Sequence, residues 1–156
     1  KLPHNYGVYG VAASPDGKTV ATLDDNGEVH LWDATTLKKS KTFKHADTGR
    51  AICFSADGKT LATAGGDVVK LWDAATGAEK AAAKVEGISA VFTPDGSTLV
   101  VGTFDNLVLF LSGSDLSVKA KFEKHERPVT GVVVTPDGKT AFSSSMDYTL
   151  RSWAVK

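Results

Sequence analysis

One turn sequence returns four times at near-constant spacing, and this limits the chain more than any other feature. Ser14-Pro15-Asp16-Gly17-Lys18-Thr19 recurs as Ser55-Ala56-Asp57-Gly58-Lys59-Thr60, Thr93-Pro94-Asp95-Gly96-Ser97-Thr98 and Thr135-Pro136-Asp137-Gly138-Lys139-Thr140. From Asp16 to Asp57, Asp95 and Asp137 the steps are 41, 38 and 42 residues. A second marker keeps the same phase: Leu31-Trp32-Asp33, Leu71-Trp72-Asp73, Leu109-Phe110-Leu111 and Ser152-Trp153-Ala154. A fixed period of this length signals a stack of supersecondary units, none of which buries its apolar face alone.

Each unit reads as strands. Asp-Gly between apolar runs favours a hairpin, because glycine accepts the positive φ of a tight turn. Val8–Ser14, Thr19–Asp24 and Glu28–Trp32 are short and β-compatible, and Lys38–Lys44 has the lysines of an outer edge strand. Four strands per unit of about 40 residues is the pattern of a β-propeller blade. The expected fold is all-β, four consecutive four-stranded antiparallel blades spanning 4–44, 45–82, 83–124 and 125–156. Gly10, Ala51, Ser89 and Gly131 align in the first strand, and small residues there allow inner strands to approach closely.

The Leu-Trp-Asp ends, the Asp-Gly turns and a histidine column together resemble the WD-repeat β-propeller family over essentially the whole chain. The style of Trp72–Gly77 is similar to that of bacterial members. The resemblance implies a structural tetrad in each blade: a His before the first strand, a hydroxyl in the second, an Asp in the next turn and the Trp of the third. The last repeat matches with His125, Ser143, Asp147 and Trp153. The second matches with His45, Thr63, Asp67 and Trp72, in a turn one residue shorter. The first has His4, Thr22 and Trp32, with Asn26 replacing the Asp. The third keeps only Asp105, with Val101 for the hydroxyl and Phe110 for the Trp, so apolar packing is expected to hold it.

Chemistry is sparse. His4, His45 and His125 occupy one repeat position in different blades, so they do not converge on a metal. His30, between Val29 and Leu31, is expected to point outward. Asp24-Asp25-Asn26-Gly27-Glu28 lacks the spacing of a calcium loop and reads as a β-turn. The Ser143–Ser145 run has no nucleophile elbow. No catalytic residue, metal or cofactor is expected, and the chain is expected not to be an enzyme. Cys53 aligns with Ala12, Val91 and Val133 as a small hydrophobe. A lone cysteine forms no internal disulfide, which suits a reducing, cytoplasmic setting. Lys1–Asn5 does not read as a signal peptide, and no apolar run approaches a membrane span.

Lys plus Arg and Asp plus Glu number 18 each, so no basic surplus points to nucleic acid or an anionic membrane. Other proteins are the expected partners, as the resemblance implies. The same resemblance puts their docking surface on the loops that enter the first strand and join the second to the third. Those loops carry Tyr6, Tyr9, Arg50, Phe104, Arg127, Met146 and Tyr148, and Tyr and Arg are hot-spot types. The alternatives are a segment or engineered half-propeller that only self-assembles, and a ligand-binding or enzymatic propeller with a central-channel site. Four blades are few for a closed ring, and only three residues follow Trp153. A homodimer closing an eight-bladed ring is therefore expected, with the fourth blade short of its outer strand.

Overall fold

The computed structural model describes residues 2–155. The first three sheets are four-stranded antiparallel meanders: β1 (Val8–Ala13), β2 (Thr19–Asp24), β3 (Glu28–Asp33) and β4 (Lys39–Lys44); β5 (Ala51–Phe54), β6 (Thr60–Gly65), β7 (Val68–Asp73) and β8 (Glu79–Lys84); β9 (Gly87–Phe92), β10 (Thr98–Thr103), β11 (Val108–Ser112) and β12 (Val118–Phe122). The last has three described strands, β13 (Val129–Val134), β14 (Thr140–Ser145) and β15 (Leu150–Ala154). Each sheet is one blade. The inner strands β1, β5, β9 and β13 follow one another side by side.

The repeated turn carries its own hydrogen bonds. Ser14 Oγ donates to Asp16 Oδ1 at 2.6 Å, Asp16 Oδ1 accepts from Lys18 N at 3.0 Å, and Ser14 Oγ accepts from Thr19 N at 2.9 Å. Gly17 supplies the positive φ of 70°. Ser55 with Asp57, Thr93 with Asp95 and Thr135 with Asp137 repeat the pattern. The hydroxyl bond, followed by the backbone N–H, holds the Asp16 and Asp57 carboxyls below their ordinary pKa. The Asp of Trp-Asp closes the next turn: Asp33 Oδ1 accepts from Thr36 N at 2.6 Å, and Asp73 Oδ1 from Thr76 N at 2.7 Å.

Packing between blades explains the small-residue column. A Cβ added at Gly10 would meet Ile52 Cγ2 of the next inner strand at 2.8 Å. Ser89 Oγ accepts from Val132 N at 3.1 Å across the junction between the third and fourth blades. One core, with Leu23, Leu31, Leu61 and Trp72, fills the first junction. A second, with Val69, Leu71, Leu99, Val101 and Leu111, fills the next. The third holds Val100, Val108, Phe110, Val132 and Trp153.

The third blade corrects one expectation. Leu61 pairs with Trp72 in the second blade, and the corresponding Leu99 pairs with Leu111. Leu111, not Phe110, therefore holds the Trp position. Phe110 pairs with Val100 and faces the fourth blade, where Phe122 bridges it to Trp153 with ring centroids at 5.1 and 4.7 Å.

Candidate functional site

Buried hydrogen-bond chains fix the loops at one end of the blades. In the fourth blade Ser143 Oγ accepts from Trp153 Nε1 at 2.9 Å and lies 2.7 Å from His125 Nε2. His125 Nδ1 lies 2.7 Å from Asp147 Oδ2, which also accepts from Glu126 N at 3.1 Å. Burial raises the Asp147 pKa, but the bonds from Thr149, His125 and Glu126 outweigh it and hold the carboxyl well below the ordinary value.

In the second blade Thr63 Oγ1 accepts from Trp72 Nε1 at 2.8 Å and lies 2.8 Å from His45 Nδ1. Asp67 does not join them. The turn is one residue shorter and Gly66 takes its left-handed position with φ 56°, which carries Asp67 past the tight turn and into solvent. His45 Nε2 is instead 3.2 Å from the carbonyl of Gly65, and burial pushes the His45 pKa down.

The first blade departs further. His4 Nε2 is 3.2 Å from Thr22 Oγ1, which accepts from Trp32 Nε1 at 2.9 Å. The contact Asn26 makes is through its backbone carbonyl, to Lys44 Nζ, so it does not take the Asp position. The carboxylate near His4 is Asp24, fully buried at the end of β2. His30 does not point outward. It is 3% exposed, and its ring packs against His4 and Trp32 with centroids at 4.9 and 5.7 Å. Burial, then Lys39 and His4, push its pKa down.

The loops above these chains carry the expected contact residues except Tyr9, which lies within β1. In three blades the turn after the second strand is tied to the segment approaching the first: Asp25 N donates to Gly7 O at 2.8 Å, Phe104 N to Glu86 O at 2.9 Å and Met146 N to Pro128 O at 3.0 Å. Ser145 Oγ donates to Arg127 O at 2.8 Å. One rim therefore presents Tyr6, Tyr9, Arg50, Phe104, Arg127, Met146 and Tyr148, all exposed. The structure joins two of them directly. The Arg50 guanidinium lies 4.7 Å from the centre of the Tyr9 ring and 3.6 Å from Asp25 Oδ1, spanning the first two blades. Tyr148 is 95% exposed and has φ 66°, at the turn position that Gly27 and Asn106 hold with φ 75° and 70°. A bulky residue there is strained, and the bond from Tyr148 N to Ser145 O at 3.2 Å holds it in the turn. Away from this rim, Cys53 is half-buried, and burial pushes its thiol up to about 12.

A model for "WD domain, G-beta repeat" matches residues 1–33, 37–73 and 116–154. The unmatched stretch contains most of the third blade, where the tetrad is missing. Periodic tryptophan protein 2 of Arabidopsis thaliana is 30% identical over 97% of this chain and 18% of its own length. WD repeat-containing protein SL1-17 of Schistosoma mansoni is 30% identical over 98% of the chain and 52% of its length. Human apoptotic protease-activating factor 1 is 34% identical over 67% of the chain and 9% of its length. The chain thus spans about half or less of these eukaryotic relatives. A chain in the crystal structure of the mitotic checkpoint complex superposes with TM-score 0.89 at 25% identity, over 97% of this chain and 51% of that one.

Proposed function

Because the chain belongs to the WD domain, G-beta repeat family, we propose that it is a non-catalytic scaffold that binds other proteins through the rim carrying Arg50 and Tyr148. The observation that carries this reading is the exposure of Tyr, Arg, Phe and Met side chains at the end of the blades where buried hydrogen-bond chains hold the second and fourth blades. Preformed loops lose little entropy on binding, and aromatic and Arg side chains contribute most at interface centres. The net charge of zero favours a mixed polar and aromatic contact over nucleic acid or an anionic membrane. A groove of about 720 Å³ at the opposite end is lined by Asp57 and Asp95. Both carboxylates are engaged in their own turns, which favours a scaffold over an enzyme. The test is affinity capture: a protein recovered by the chain should be lost when Tyr148→Ala is the bait.

The same reading includes ring closure. Along the first blade Val8 and Val11 are 45% and 70% exposed, and along the fourth Val133 and Leu150 are 60% and 69% exposed. A Cβ at Gly131 would meet only Ser144 Oγ, whereas one at Gly10 would strike the next blade. Open blade faces of this kind favour a second copy that completes an eight-bladed ring. Light scattering on a size-exclusion column should give twice the 16.4 kDa chain mass. A stable monomer at 16.4 kDa overturns the dimer.

A further inference from the structure

His4, Asp24 and His30 come from three segments: the approach to β1, the end of β2 and the middle of β3. Each offers one ligand atom, and the three atoms lie within 4.8 Å of one another. Asp24 is fully buried, and among the described residues its Oδ2 and the His4 Nδ1 have no hydrogen-bond partner. A buried carboxylate oxygen without a donor is costly. The other two histidines of the column do not share this state, since His125 has Asp147 at 2.7 Å and His45 has the Gly65 carbonyl at 3.2 Å.

One nitrogen of each ring lies beside a threonine hydroxyl. Thr22 Oγ1 accepts from Trp32 Nε1 and has the His30 carbonyl at 3.5 Å to receive its own proton. The His4 tautomer with its proton on Nε2 donates to Thr22 Oγ1 and leaves Nδ1 as a bare lone pair. His30 Nδ1 lies 2.9 Å from Thr42 Oγ1, and the tautomer with its proton on Nδ1 leaves Nε2 bare. That Nε2 is 4.0 Å from Asp24 Oδ2 and 3.4 Å from Glu28 Oε2. In these tautomers His4 Nδ1 and His30 Nε2 offer lone pairs beside the Asp24 and Glu28 carboxylates, a donor set that suits a cation.

We propose that His4, Asp24 and His30 form a zinc site, with Glu28 as the fourth ligand. Two imidazoles suit zinc, whereas calcium and magnesium take oxygen donors. Ligands about 2.0–2.2 Å from a tetrahedral zinc stand roughly 3.4 Å apart, so the observed separations need only a modest contraction. Outer nitrogens donating to hydroxyls are the supports that orient metal-bound histidines. The sequence expectation of no metal rested on one histidine per blade; the second imidazole comes from His30, outside that column. Bound zinc would clamp the segment before β1 onto β2 and β3 beside Trp32, whose ring lies 5.4 Å from that of His4. This inference stands apart from the scaffold reading.

The experiment titrates zinc chloride into tag-free, chelator-stripped chain, with tryptophan fluorescence and elemental analysis as readouts. One zinc per chain is expected, together with a rise in melting temperature. Cobalt should give the intense visible bands of a tetrahedral site. His30→Gln and Asp24→Asn should each weaken zinc binding by at least about tenfold, while Asp25→Asn, outside the cluster, leaves it unchanged. Failure to retain zinc overturns the site, as does undiminished affinity in both cluster variants. If those variants misfold by circular dichroism, the wild-type cobalt spectrum decides: a pale octahedral spectrum, or none, refutes the proposal.

Discussion

Thr63→Val should lower the unfolding free energy by about 2–4 kcal/mol, because it leaves the buried Trp72 Nε1–H without an acceptor and His45 Nδ1 without a donor, at about 1–3 kcal/mol each. Thr63 is fully buried and serves both Trp72 Nε1 and His45. Valine keeps the shape and removes only the oxygen, so the loss reports the hydrogen-bond chain rather than a cavity. Asp67→Ala, at the position a four-membered tetrad would use, should move stability by less than about 0.5 kcal/mol. Chemical denaturation of both variants with unchanged m-values checks this, and a large loss for Asp67→Ala would restore it to the tetrad. Asp147→Ala should lower the midpoint more than Asp105→Ala, since Asp147 meets His125 and the turn whereas Asp105 is exposed. The Asp147 carboxyl is held below the ordinary 3.8, so its contribution is present above that pH and is lost as pH falls through the folded value. The acid limb of the wild-type stability curve should flatten in Asp147→Ala.

Phe110→Ala and Leu111→Ala should each cost about 3 kcal/mol, since both side chains are almost wholly buried. Their couplings should differ. Phe110 shares a core with Trp153 across the last junction, whereas Leu111 packs with Leu71 and Leu99 on the other side of the blade. A double-mutant cycle of Phe110→Ala with Trp153→Ala should give a coupling of about 0.5–3 kcal/mol, and the Leu111 cycle should be additive within about 0.5 kcal/mol. Coupling through Leu111 instead would put Phe110 back in the Trp position.

What was legible in the sequence is what depends on a few consecutive residues. Ser-Pro-Asp-Gly encodes a turn whose hydrogen bonds lie within six positions, so strand ends could be read from it. Leu109-Phe110-Leu111 has no polar residue to mark the end of its strand, and the reading slipped by one. Asp67 was misplaced because losing one turn residue changes which side chain reaches the histidine, and spacing alone does not show that. His30 was misread for a different reason. Alternation marks solvent only where one face of a sheet is wet, but the N-terminal side of the first blade covers His30 with His4 and Trp32. The rim residues other than Tyr9, which lies within β1, were legible as loop residues. The stacking of Arg50 on Tyr9 was not, because it depends on β1 and β5 lying side by side.

The central claim is that partners bind the rim and not the opposite end of the blades. Its most direct test is the dissociation constant of a captured partner for two paired variants. Arg50→Ala with Tyr148→Ala removes exposed side chains outside the tetrads, and alanine keeps the Cβ at the positive-φ position, so the backbone preference there is little changed. Lys18→Glu with Lys59→Glu reverses charge in the repeated turns at the other end. The rim pair should weaken binding by at least about tenfold, or 1.4 kcal/mol, while the turn pair leaves it unchanged. Undiminished affinity in the rim pair, with loss in the turn pair, would contradict the account.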